Sequence, residues 1–204
     1  LTITKKIPVG LNPEGLVVSG NNLYVSNSGG LTATFDSTVS VINLTTLTET
    51  AKIYVGKNPT SVTADEDGNI YVACQGDYNR NPANLVKVNT ANNSITKAAD
   101  TTVGGLKYYG NALYVTGGYS GVQNVRKLNT TDFKAMATNF VTDGTAVSNP
   151  YSVNVDTQNG DVYVTDAKNN ISTGALLCFD KNGVRKFSVS TAPGVNPNKV
   201  VFIR

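Results

Sequence analysis

The side chains that most enzymes use for acid, base and metal chemistry are scarce in this sequence. It contains no His and no Trp, so this segment cannot build a Ser-His-Asp or Cys-His nucleophile system, or a His-ligated zinc, copper or haem site. Its two cysteines, Cys74 and Cys178, lie far apart in the sequence and give no thiolate metal site. We predict that both are buried, unpaired thiols, with a disulfide as the alternative.

The carboxylates do not single out a catalytic pair either. The 14 Asp and Glu residues lie mostly in segments with the composition of turns or loops, and no spacing selects two of them for glycoside hydrolysis. The densest group is 65–67, Asp-Glu-Asp, which we interpret as a solvated turn, with a calcium site as the alternative. None of the 19 glycines forms a phosphate-binding loop between a strand and a helix. We therefore predict no cofactor, no metal and no catalytic residue.

The remaining candidates lie in four irregular polar segments, 27–37, 75–84, 117–124 and 166–174. These segments mix aromatic, amide and ionic side chains in the way that binding surfaces favour. We expect a binding rim formed by Asn27, Asp77, Tyr78, Arg80, Tyr119, Asp166 and Lys168. The alternative is that they are ordinary surface loops.

A repeated apolar motif precedes each of these segments. Its copies are 22–27 (NLYVSN), 69–73 (NIYVA), 112–116 (ALYVT) and 161–165 (DVYVT). The Pro of each Asn-Pro pair gives the same period, because Pro13, Pro59, the degenerate copy near Gly105, Pro150 and Pro197 follow one another at 45 to 47 residues. A fixed period of this length indicates a repeat architecture.

Four short apolar pieces, a to d, recur within each repeat, and turn formers such as Asp-Gly and Asn-Gly separate them. Piece b is the Tyr-Val motif, a continuous apolar run that predicts a strand buried on both faces. No helical periodicity occurs. We therefore predict an all-β fold, a β-propeller of four-stranded antiparallel blades, with blade repeats at 11–56, 57–103, 104–146 and 147–193. In such blades the b–c and d–a connections emerge at one end, which is where we place the rim.

The motif also resembles a known family. The Tyr-Val-Ser-Asn at 24–27, the Tyr-Val-Thr-Gly at 114–117 and the Tyr-Val-Thr-Asp at 163–166 are similar to the signature of the YVTN-repeat, YncE-like β-propellers. The resemblance covers nearly the whole chain, although Ala73-Cys74 departs from the signature and the third repeat lacks Asn-Pro. It implies an exported or cell-surface bacterial protein, periplasmic or on the cell surface.

Both ends of the sequence interrupt a repeat. Residues 1–8 match piece d and residues 194–204 match piece a, so we expect single strands of incomplete blades there. We expect residues 1–204 to form one propeller domain, part of a seven-bladed ring. Missing N-terminal blades or self-association would then cover its open faces.

The amino-acid composition argues against some classes of partner. The net charge is +3 and no Lys/Arg run occurs, so we expect no nucleic-acid partner, and no apolar run is long enough to span a bilayer. The 25 Asn and 25 Thr favour an exported protein. Our leading hypothesis is a non-enzymatic module that binds a protein or glycan. The alternatives are a lactonase- or lyase-type enzyme with an axial divalent metal near Asn154 and Asp156, and a purely structural repeat module.

Overall fold

The computed structural model describes residues 2–117 and 124–203. Within these ranges the chain forms 16 β-strands in four separate four-stranded antiparallel sheets. In each sheet the strands are adjacent in chain order, as in a meander. The described residues contain no helix, and hence none that could cross a membrane. These sheets confirm the all-β prediction of four-stranded blades.

The chain divides into two compact units, residues 1–101 and 102–204. Each unit contains two of the sheets, which we call blades. The expected single domain stays a prediction, and so does the seven-bladed ring.

Unit 1 contains blades 1 and 2. The strands of blade 1 are β1 Pro13–Ser19, β2 Asn22–Asn27, β3 Thr38–Asn43 and β4 Thr48–Tyr54. The strands of blade 2 are β5 Pro59–Ala64, β6 Asn69–Cys74, β7 Asn84–Asn89 and β8 Ser94–Ala99.

Unit 2 contains blades 3 and 4. The strands of blade 3 are β9 Leu106–Tyr109, β10 Ala112–Val115, β11 Arg126–Asn129 and β12 Ala135–Ala137. The strands of blade 4 are β13 Pro150–Val155, β14 Val162–Asp166, β15 Ala175–Phe179 and β16 Arg185–Ser190.

Strand register explains why the Tyr-Val motif is apolar throughout. Tyr24 stands opposite Val17 and Val41 in blade 1, and this row belongs to the same core cluster as Val72 of blade 2. Because neighbouring residues of a strand point to opposite faces, Tyr and Val of one motif pack on opposite sides of the blade. Unit 2 repeats the arrangement, with Tyr114 packed in one cluster with Val164. Each such buried side chain contributes roughly 1.5–3 kcal/mol of transfer free energy.

The cysteine prediction is confirmed. Cys74 and Cys178 are free thiols, each buried within its own unit. Burial raises the pKa of Cys74 to about 12, so this thiol stays protonated and behaves as a small apolar side chain.

The chain ends differ from expectation. Residues 2–8 and 194–203 form no strand. A strand is stabilised by hydrogen bonds to a neighbouring strand, and neither segment belongs to any of the four sheets. The second of these segments nevertheless packs along blade 4. Asn154 Nδ2 donates a hydrogen bond to the Val200 carbonyl oxygen at 2.7 Å, and the rings of Tyr163 and Phe202 meet edge to face at 5.1 Å.

Candidate functional site

The b–c loops and the d–a turns lie at the same end of their blades, as the repeat pattern predicts. In blades 1, 2 and 4 the first residue after the motif strand donates its backbone N–H to the Asn carbonyl of the Asn-Pro turn. These hydrogen bonds run from Ser28 to Asn12, from Gln75 to Asn58 and from Ala167 to Asn149, at 3.1, 2.9 and 3.0 Å. In these three blades the b–c loop is therefore anchored to the d–a turn.

A hydroxyl group in the motif fixes this end of the blade. Ser26 Oγ accepts a hydrogen bond from Gly15 N at 3.0 Å, and Thr165 Oγ1 accepts one from Ser152 N at 2.9 Å. Both donors follow a register shift after the Asn-Pro turn. The Ser or Thr of the motif therefore pairs a backbone N–H at a bulge.

In unit 1, the d–a turns and b–c loops of both blades form one surface. We call residues 10–14, 28–37, 56–59 and 75–83 the loop end of unit 1. Asn58 N donates to Asp36 O at 2.8 Å, and Lys57 Nζ donates to Phe35 O at 3.2 Å. The Phe35 and Tyr78 rings meet edge to face at 5.9 Å. These contacts join the blade 1 loop to the blade 2 loop.

Asp36 fastens the blade 1 loop. Its carboxylate accepts hydrogen bonds from the backbone N–H groups of Leu11, Ser37 and Thr38 and from the Thr38 hydroxyl, at 2.6 to 3.0 Å. Partial burial acts to raise the pKa of Asp36, but these four hydrogen bonds outweigh it and hold that pKa below its ordinary value. The carboxylate is therefore ionised at neutral pH.

Asp77 fastens the blade 2 loop in a similar way. Its Oδ1 accepts hydrogen bonds from Asn79 N and Asn81 N at 3.0 and 2.8 Å, and its Oδ2 accepts one from Asn81 Nδ2. The side-chain bond from Asn81, followed by the backbone bonds, lowers the pKa of Asp77 to about 2. Tyr78 sits at the turn of this loop with φ 57°. Asn58 Nδ2 lies 3.4 Å from its hydroxyl.

The structure sorts the seven predicted rim residues into different roles. Asn27 and Asp166 are buried. Asn27 Nδ2 donates to the hydroxyls of Thr38 and Ser40 at 3.0 and 2.9 Å. Asp166 accepts from the backbone N–H groups of Ser148, Asn149 and Lys168 at 2.8 to 3.1 Å. The expectation that these two side chains face a partner is therefore corrected, because they hold their own loops together.

The other predicted residues divide by exposure. Tyr78 is 59% exposed, and Arg80 and Lys168 are exposed. Asp77 is half-buried, and the loop itself occupies its carboxylate. Tyr119 lies outside the described residues. The structure thus brings Asp77, Tyr78 and Arg80 together in unit 1 and places Lys168 in unit 2. Whether they bind a partner stays a prediction.

Two exposed apolar residues at loop tips were missed by the sequence reasoning. Leu31 is 89% exposed in the blade 1 loop, and Ile171 is 82% exposed in the blade 4 loop. The only signal in the sequence was that each is the one large aliphatic residue of its loop. Phe35 was also missed, although it packs against Tyr78.

The residues considered for metal chemistry serve local structure. Asn154 Nδ2 is bound to Val200 O, and Asp156 Oδ1 accepts a turn hydrogen bond from Gln158 N at 3.0 Å. Asp65 accepts from Asp67 N, from Asn69 and from the Tyr71 hydroxyl, at 2.8 to 3.0 Å. Across residues 2–117 and 124–203, His, Cys, Asp and Glu side chains form no group of three or more that could hold a metal.

Solved structures that resemble the chain include the following three. Hydrazine synthase from Kuenenia stuttgartiensis matches with a TM-score of 0.70 at 14% identity, over 93% of this chain and 52% of that one. A quinonprotein alcohol dehydrogenase-like protein from Bacteroides thetaiotaomicron matches with 0.62 at 14% identity, over 87% and 45%. The β-propeller domain of Cps50 (Swd1) from Myceliophteria thermophila matches with 0.66 at 14% identity, over 94% and 61%.

These likenesses establish the fold. The chain is a β-propeller protein. It spans about half to three fifths of the length of the structures it matches. Neither a family model nor a curated protein matches the sequence.

Proposed function

We propose that this chain is a non-enzymatic binding module of an exported bacterial protein, and that the loop end of unit 1 contacts a protein partner. The observation that carries the proposal is Tyr78. The residue is 59% exposed, yet its loop is closed by the Asp77 hydrogen bonds and its ring contacts Phe35 edge to face.

A fixed, exposed tyrosine suits recognition for two physical reasons. Tyrosine provides a large amphipathic contact area and is enriched at the energetic centres of protein interfaces. A loop that is already ordered loses little conformational entropy on binding, so more of the contact free energy remains as affinity. The β-propeller fold supports this role because it presents such loops on a rigid scaffold.

The exported location and the relation to YVTN-repeat propellers belong to the same proposal. They are supported by the Tyr-Val-Ser/Thr motif and by the abundance of Asn and Thr. In intact host cells, we expect an externally added protease to degrade a protein exposed at the cell surface. If the protein is periplasmic, degradation should require disruption of the outer membrane. Protection after that step too would contradict an exported location.

Site-specific photo-crosslinking tests the binding surface. A benzophenone amino acid replaces Tyr78 in one variant and Ile95 in the control. Ile95 is also exposed, and it lies on β8 beside the c–d turn, at the opposite end of blade 2. We expect irradiation in host cells to give a discrete adduct from position 78 that excess unlabelled wild-type chain suppresses. Equal labelling from both positions, or none from position 78, would contradict the proposal.

A further inference from the structure

The carboxylates at the loop end of unit 1 accept hydrogen bonds from their own loops and turns, although Asp36 and Asp77 are only half-buried and Glu14 is exposed. Asp36 accepts four hydrogen bonds from its own loop and the adjoining turn, and Asp77 accepts three from Asn79 and Asn81. Glu14 Oε1 accepts from Asn12 Nδ2 at 3.0 Å and from Ser28 Oγ at 2.6 Å. Asp36 and Asp77 therefore use most of their acceptor capacity within the protein, whereas Glu14 accepts through one of its two carboxylate oxygens.

The cations of the same surface are not paired with these carboxylates. Arg80 is exposed, and among residues 2–117 and 124–203 no carboxylate oxygen lies within 4.0 Å of its guanidinium. Lys57 donates to a backbone carbonyl, that of Phe35. The loop end thus offers a partner hydrogen-bond donors with positive charge, while the carboxylates of Asp36 and Asp77 are already engaged by their own loops.

Two exposed apolar side chains belong to the same loop end as these donors. Tyr78 is two residues from Arg80, and Leu31 projects from the neighbouring loop with 89% of its surface exposed. Removing an exposed leucine side chain from water is favourable. A partner that covers this surface therefore gains most if it brings an apolar side chain as well as a carboxylate.

Unit 2, taken by itself, shows a similar combination. Asp166 is turned onto three backbone N–H groups. Lys168 is exposed and, within the part of the chain that the structure describes, makes no ion pair. Ile171 is 82% exposed. The combination of a carboxylate engaged by its own loop, an outward cation and an exposed aliphatic tip thus occurs in both units.

We propose that the loop end of unit 1 binds an acidic peptide segment of its protein partner, one that also carries an apolar side chain. An Asp or Glu of that segment pairs with the Arg80 guanidinium in a bidentate manner, and the apolar side chain packs on Tyr78 and Leu31. This inference rests on the proposed function and names the chemistry of the partner.

The attraction acts at short range. Two cations, Lys57 and Arg80, stand beside three carboxylates, those of Glu14, Asp36 and Asp77. The formal charges nearly cancel, so little long-range field remains to steer a partner. Charge reversal at Arg80 should therefore change the dissociation rate more than the association rate.

Phage display tests the inference. The whole chain is immobilised, and binders are selected from a library of random twelve-residue peptides. We expect the enriched peptides to combine Asp or Glu with a large apolar residue. For a synthetic copy of the best peptide, we expect Arg80→Glu and Tyr78→Ala each to weaken binding at least tenfold. Lys181→Glu makes the same change of charge in the c–d turn of blade 4 and should leave binding unchanged.

The outcomes separate this inference from the proposed function. If Tyr78→Ala weakens binding and Arg80→Glu does not, the inference is overturned and the binding surface stands. If neither substitution weakens binding, both are overturned. Enriched peptides without acidic residues, or no enrichment over an empty support, would overturn the inference. So would Arg80-dependent binding of phosphatidylserine vesicles or a sulfated glycan in place of any peptide.

Discussion

Two tyrosines at equivalent positions of the repeat should respond differently to loss of their hydroxyl groups. Tyr24 and Tyr71 occupy the same place in the Tyr-Val motif and are 0% and 1% exposed. The Tyr71 hydroxyl donates to Asp65 Oδ2 at 2.9 Å. The buried Tyr24 hydroxyl has no hydrogen-bond partner among the described residues. Phenylalanine preserves the ring in both cases and removes only the oxygen.

The magnitudes follow from these contacts. A hydrogen bond to a charged group is worth about 1.5–3 kcal/mol. Asp65 keeps its hydrogen bonds from Asp67 N and Asn69, so we expect Tyr71→Phe to cost about 1.5 kcal/mol, at the lower end. Tyr24→Phe removes a buried polar atom that lacks a partner. It should leave stability unchanged or raise it by about 1 kcal/mol, part of the desolvation penalty of such a group.

Equilibrium urea unfolding, followed by far-UV circular dichroism, measures both variants against the wild-type chain. The two single substitutions should differ by about 1.5–2.5 kcal/mol in the free energy of unfolding. We reason that the hydrogen-bond partner of the motif tyrosine, and not its position in the repeat, decides how much its hydroxyl contributes to the free energy of unfolding. Equal effects of the two substitutions would refute this reasoning. A greater loss for Tyr24→Phe would refute it more strongly.

Three further predictions concern the hydroxyl of the motif, a glycine turn and the response to acid. Thr165→Val leaves the bulge N–H opposite it without its acceptor and should lower the free energy of unfolding by about 1–3 kcal/mol; Thr157→Val, at an exposed turn of the same blade, should change it by less than about 0.5 kcal/mol in thermal or urea unfolding. Gly183→Ala should destabilise more than Gly144→Ala by about 1–3 kcal/mol, because both have positive φ but an added Cβ meets a backbone carbonyl only at Gly183; equal losses would contradict the steric reasoning. The pKa of Asp77 is lowered to about 2 in the folded chain from about 3.9 when unfolded. The stabilisation that its ionised carboxylate gives the folded chain is therefore complete above pH ~4 and is lost as the pH falls through ~2. Amide NMR signals of its loop should hold their positions down to pH ~4 and shift below it, and shifts centred near pH ~4 would contradict the lowered pKa.

The periodic features of the fold could be predicted from the sequence because each has a local physical cause. Tyr24 and Val25 both had to be buried, on opposite faces, and this required sheets packed on both sides. The regularly spaced Asn-Pro pairs marked the turns, where Asn12 and Asn58 adopt positive φ, a conformation that Asn tolerates better than most residues. The strands followed from these two signals.

The candidate site was less predictable because side-chain direction in a loop depends on contacts distant in sequence. Asn27 and Asp166 end their strands in the expected place, but they turn inward to hydroxyl or backbone N–H groups. Leu31 and Phe35 belong to one loop, yet Leu31 projects outward whereas Phe35 packs on Tyr78, from another blade. Periodicity carries no information about such pairings.

The affinity of the chain for the partner captured from position 78 tests the central claim most directly. Isothermal titration with the purified partner should compare wild type, Tyr78→Ala and Ile95→Ala, a second exposed apolar residue of unit 1. We expect Tyr78→Ala to weaken binding about thirtyfold, which corresponds to about 2 kcal/mol for a residue at the centre of an interface, and Ile95→Ala to bind as wild type does. If Tyr78→Ala binds as tightly as wild type, the loop end of unit 1 is not the binding surface.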